Sequence, residues 1–143
     1  MSTSASALLA SALLLFPSMG AVAATEEAPT PAREGARVYI ISPADGETVP
    51  RTFTVKFGLQ GMGVAPAGVD RPFTGHHHLL VDGELPALDR PLGQAVRHFG
   101  GGQTEATLTL EPGRHTLRLI LGDHRHRPHQ PPLVSEEVVV HVR

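Results

Sequence analysis

Gly75-His76-His77-His78-Leu79-Leu80-Val81-Asp82-Gly83 is the stretch on which the reading of this chain turns. Three consecutive histidines run into an apolar segment rich in strand formers, and an Asp-Gly pair ends it as a turn. Read as a strand, the segment alternates its side chains between two faces. Leu79 and Val81 then share a face with His77, and Leu80 shares the other with His76 and His78. If Leu79 and Val81 face a core, His77 lies at its rim, and His76 and His78 point together, roughly 6.5 Å apart.

Working outward, other segments show the same period. Phe53-Thr54-Val55-Lys56-Phe57-Gly58-Leu59 and Thr107-Leu108-Thr109-Leu110 alternate apolar with polar residues, and Leu117, Leu119 and Leu121 fall on one face after His115. Val38 to Ile41, Gln94 to Phe99 and Val138 to Val142 complete a set of about seven strands. Gln60 to Gly75 and Gly122 to Pro132 are rich in glycine and proline and read as loops. No segment after the leader carries a helical apolar period. The expected fold is all-β, an immunoglobulin-like antiparallel β-sandwich over residues 37–143, with a small closed barrel as the alternative.

Residues 1–24 read as a secretory signal peptide. Leu8 to Phe16 is an apolar core, and Ala21-Val22-Ala23-Ala24 offers small residues for cleavage at Ala23 or Ala24. The apolar core is shorter than the roughly 20 residues of a spanning helix, so no stable membrane span is expected after cleavage. Residues 25–36, with Pro29 and Pro31, read as a disordered tether. The expected location is the bacterial periplasm or the exterior. The chain contains no cysteine, so no disulfide can stabilise it there. A net charge of −2 gives no polybasic surface for nucleic acid, and the chain has one Tyr and no Trp for stacking.

Nine histidines against twelve Lys plus Arg is the unusual feature. In a sandwich of sequential antiparallel strands, His76–His78, His98 and the loop bearing His124, His126 and His129 share one end, whereas His115 and His141 fall at the other. Imidazoles suit copper and zinc. His76, His78, His126, His129, His98 and His124 are therefore candidate metal ligands, and Met62, whose thioether leans toward copper, joins them. Asp70, Asp82 and Asp123 are candidates to orient the imidazoles as hydrogen-bond acceptors.

Against this stand Arg125 and Arg127, which set fixed positive charges beside the proposed cation. The same run could hold an anion, or simply be solvated surface. His115 reads as a structural ring. No Gly-x-Ser-x-Gly, His-Glu-x-x-His or cysteine nucleophile is present, so no enzyme is expected. The function that follows is a histidine-rich protein binding copper or zinc, in handling or storage. The alternative is a non-catalytic module that binds another periplasmic protein or an anion at its His/Arg-rich end, with pH dependence.

Taken as a series, Gly61-Met62-Gly63-Val64-Ala65-Pro66-Ala67-Gly68, Gly75 to Asp82, His98-Phe99-Gly100-Gly101-Gly102-Gln103-Thr104-Glu105, Pro112 to Leu117, Leu121-Gly122-Asp123 and His126 to Pro132 resemble a family of small exported bacterial proteins classed as a domain of unknown function. The resemblance covers about Arg37 to Arg143 and implies a periplasmic domain, but it brings no activity. His76, His77, His78, His98, His115, Asp123, His126 and His129 match its pattern.

Overall fold

The computed structural model describes residues 1–2 and 27–143; the expected signal peptide, apart from its first two residues, lies outside them. Nine strands follow in order: β1 (Arg37–Ser42), β2 (Glu47–Val49), β3 (Thr52–Gln60), β4 (Gly63–Val64), β5 (Thr74–Val81), β6 (Arg97–His98), β7 (Glu105–Thr109), β8 (Gly113–Gly122) and β9 (Val138–Val142). They form two sheets. One has the order β1-β3-β7; the other has β2-β9-β8-β5-β4, with β6 also paired to β5.

The β-sandwich expectation holds, with two corrections. The strands number nine among the described residues rather than seven. Nor are they all antiparallel, because β2 runs parallel to β9 and β4 parallel to β5. Both added strands are too short for a period of two to register: β2 has three residues and β4, inside the expected 60–75 loop, has two.

The inward faces of the two sheets supply the main core. Val38, Val55, Phe57 and Leu108 come from the small sheet and meet Leu79, Leu117, Leu119, Leu121 and Val140 of the large one. A second, smaller core lies on the outer face of the large sheet. There Leu80 and Ile120 are covered by Leu92 and Val96 from the connection after β5. This cover hides Leu80 and so contributes to a run of six buried residues along β5, Gly75 to Leu80, although the strand alternates. Both its faces are inside the protein.

The segment expected as a tether is in part laid against the body of the domain. Pro31 bridges to Gln130, Ala32 N–H donates to the Gln130 carbonyl, and Gln130 N–H donates to the Thr30 carbonyl. Polar composition alone suggested a free strand-less stretch, and backbone pairing with the 123–130 loop holds it instead. Among the described residues no helix is long and apolar enough to cross a membrane.

Candidate metal centre

Alternation along β5 divides the histidine triplet as its pattern requires. His77 turns inward with Leu79, and its ring packs 5.1 Å from the Phe57 ring. It is fully buried, so its expected place at the core's rim is corrected to the core itself. The Phe57 and Phe99 rings, 4.9 Å apart, extend the aromatic packing beyond it. Both His77 ring nitrogens are buried with no hydrogen-bond partner. Burial alone lowers the His77 pKa to about 4, so the ring is neutral.

His76 and His78 turn to the outer face, fully buried, with rings 4.5 Å apart. The register of β5 with β6 sets His98 opposite His78, and cross-strand partners share a face. Their rings are 4.7 Å apart. The loop after β8 then delivers His126. Its Nδ1 lies 2.9 Å from His76 Nε2, 3.2 Å from His78 Nε2 and 3.1 Å from His98 Nδ1. One imidazole nitrogen has a single proton or a single lone pair, so it can satisfy one of these three neighbours well. Three nitrogens crowded on a fourth form a poor hydrogen-bond network but a good set of ligand atoms. The candidate ligand atoms of His76, His78 and His126 all lie within 4.8 Å of one another.

Asp123 builds the turn that presents His126. Its Oδ1 accepts the N–H groups of Arg125 and Arg127 at 2.9 and 3.0 Å, and its Oδ2 accepts the Thr30 hydroxyl at 3.1 Å. Its carbonyl accepts the His126 N–H at 2.9 Å. Asp123 is thus a backbone brace rather than an acceptor for an imidazole. His126 itself has φ +60°, a left-handed conformation that a residue with a Cβ adopts under constraint. Burial would raise the Asp123 carboxyl, but the N–H groups of Arg127 and Arg125 and the Thr30 hydroxyl outweigh it and hold its pKa below the usual value.

Burial and mutual repulsion keep His76, His78 and His126 uncharged. Burial, then the neighbouring His126 and His98, lower the His76 pKa to about 4, against a smaller upward pull from Asp123. Burial, then His76, His98 and His126, lower that of His78 to about 3. His126 is lowered as well, by burial and by His98. Neutral imidazoles at pH 7 present lone pairs, the state in which they bind metal.

The other expected ligands lie elsewhere. His129 is buried and donates from Nε2 to the Thr74 carbonyl at 3.1 Å. His124 Nδ1 lies 3.6 Å from Asp70 Oδ1. Both line a cavity of about 250 Å³ with Asp70, Asp123, Phe73 and Thr30. Met62 packs against the main core, which removes the lean toward copper that a thioether would give. Arg125 pairs with the Glu27 carboxylate and Arg127 donates to the Glu27 carbonyl at 2.8 Å.

At the far end of β5, His115 Nδ1 lies 2.8 Å from Asp82 Oδ2, and its Nε2 donates to the Glu111 carbonyl. The Asp82 hydrogen bond, then that of Glu111, raises the His115 pKa. Asp82 thus fills the acceptor role expected of it, for a ring outside the cluster. His141, on β9, is exposed.

Two glycines that nothing in the sequence pattern marks as functional make the cluster possible. A Cβ on Gly122 would lie 2.5 Å from His78 Cε1, and one on Gly75 would lie 2.5 Å from the Gly122 carbonyl oxygen and 2.8 Å from His129 Cε1. The end of β8 therefore sits closer to the His78 ring and to Gly75 than any side chain at Gly122 or Gly75 permits. No curated protein and no solved structure matches the chain. The model of the family described as a domain of unknown function, DUF4399, matches residues 55–143, a span that is more than half of the chain and holds all four clustered histidines, and the chain belongs to that family.

Proposed function

We propose that this chain is an exported, periplasmic protein that holds one copper or zinc ion through His76, His78 and His126, with His98 next in reach, in a handling or storage role. The observation that carries the reading is the crowding of three ring nitrogens within 3.2 Å of His126 Nδ1. Metal–imidazole bonds of about 2.0–2.1 Å give a tetrahedral nitrogen–nitrogen edge of about 3.3–3.4 Å, so the three edges that meet at His126 Nδ1 need open by no more than about 0.5 Å. Full burial of His76 and His78 as neutral imidazoles supports the same reading, because their Nε2 lone pairs are available to an ion.

An all-nitrogen donor set accommodates either metal. Four imidazoles would fill a tetrahedral shell and leave no position for an activated water, which favours holding over hydrolysis. The anion-binding alternative loses support, because Arg125 and Arg127 engage Glu27. The test is calorimetric titration of the chelator-stripped protein with Cu(II) and Zn(II), beside His76→Ala and His126→Ala variants. Tight binding at one ion per chain is expected, weakened at least about a hundredfold in each variant, a loss of about 2.7 kcal/mol or more. Equal affinity in wild type and variants would sink the reading.

A further inference from the structure

The four clustered histidines are held unequally. His76 and His78 are fully buried in a strand paired to β8 along six positions. His126 is half-buried and fixed by the Asp123 brace. His98 is exposed, on a strand of two residues that pairs with β5 at His78 and Leu79, and beyond it the Phe99 N–H donates to the His77 carbonyl at 3.1 Å. Gly100, Gly101 and Gly102 follow Phe99, the last at φ +81°. The His98 ring is nonetheless oriented. Its Nε2–H donates to the Gly93 carbonyl at 2.7 Å, which fixes the tautomer and leaves the Nδ1 lone pair facing His126.

We propose that His98 is the exchange ligand of the metal centre, the one position at which the ion is passed to or taken from another molecule. This rests on the metal reading above. The step is a ligand substitution: the bond from His98 Nδ1 to the ion breaks as a bond from an incoming donor atom forms, with no change of oxidation state. The other three imidazoles hold the ion meanwhile from the buried side. The partner is a metal acceptor that projects an unhindered imidazole or sulfur donor, because only such a group reaches past an exposed edge into a cluster closed by β5 and β8.

Stopped-flow transfer of Zn(II) from the loaded full chain to free histidine or a chromogenic pyridylazo chelator tests this. The wild-type rate is expected to rise with chelator concentration. His98→Ala should accelerate transfer at least about tenfold while the apo protein unfolds at the same denaturant concentration as wild type. A loaded wild-type chain that releases zinc at a rate independent of chelator overturns the proposal, as does His98→Ala with an unchanged rate. A wild-type chain that retains no zinc at all overturns the metal reading, and this proposal with it.

Discussion

His76 Nε2 lies 2.9 Å from His126 Nδ1, across fifty residues of chain. The first ring is fixed by strand register and the second by a turn in which His126 has φ +60°. A conformation of that kind costs on the order of 1–3 kcal/mol and persists where the surroundings impose it. Asp123 is what imposes it here, through two backbone N–H groups and the Thr30 hydroxyl.

Strain and ligation can therefore be separated at one position. Glycine adopts φ +60° without a steric penalty, so His126→Gly should leave the turn intact. Urea unfolding of the apo variant is expected to show stability equal to wild type or higher by up to about 1 kcal/mol. Metal affinity should fall at least about a hundredfold, or about 2.7 kcal/mol. Lost affinity together with a large loss of stability would mean that the ring is there for packing.

Gly122→Ala attacks the same centre from the backbone. The new methyl would stand 2.5 Å from His78 Cε1 and 3.4 Å from the His126 carbonyl carbon. His78 must rotate away or β8 must draw back from β5. Metal affinity, read by competition with a chelator of known affinity, should drop about 10–100-fold although no ligand is removed. An unaffected affinity would show that His78 is free to move without consequence, and would take it out of the ligand set.

How much of this was legible in the sequence depends on whether the deciding contact is local. Period-two alternation over Phe53–Leu59 and across the histidine triplet identifies β3 and divides His77 from His76 and His78, because strand geometry acts between residues one and two apart. The burial of β5 on both faces was not legible, since its outer face is covered by Leu92 and Val96 folding back over Leu80 and by His126 over His76 and His78. Nor could the pattern say which of His124, His126 and His129 reaches His76. That choice is made by the Asp123 turn, and Gly122, by its missing Cβ, leaves room for the His78 ring that the loop's His126 meets. Asp123 was visible as an acceptor, but its partners proved to be N–H groups two and four residues on, the local bonding that aspartate makes in turns. Thr30, which completes the brace, lies 93 residues away in a stretch whose composition suggests no structure.

Protonation gives a third expectation, for the metal-free protein. His76 and His77 titrate near 4 and His78 near 3 in the folded state, against 6.5 when unfolded. Below pH 6.5 the unfolded chain takes up protons that the folded chain refuses, so stability falls as pH drops from about 6.5 toward 4. Above 6.5 these groups are neutral in both states and contribute no pH dependence. Each group protonated only in the unfolded state adds about 1.4 kcal/mol per pH unit to the slope. Urea midpoints measured in the presence of chelator at pH 7.5, 6 and 5 should decline steeply over the last two. A midpoint flat from 7.5 to 5 would mean that the three rings are not buried as described.

His77 separates stability from binding in the opposite sense to His126. Its ring sits in the inter-sheet core against Phe57, and neither nitrogen has a partner. A buried, unpaired polar group costs about 1–3 kcal/mol, which an apolar side chain of similar volume does not incur. His77→Leu should therefore stabilise the protein by about that amount and flatten the acid limb of the pH profile. His77→Ala, which leaves a cavity beside Phe57, should destabilise it by several kcal/mol. Metal affinity is expected to be unchanged in the leucine variant, because strand alternation points residue 77 away from the face that carries His76 and His78. A leucine variant that is less stable, or that loses metal, would show that the His77 ring makes a polar contact the packed core does not account for.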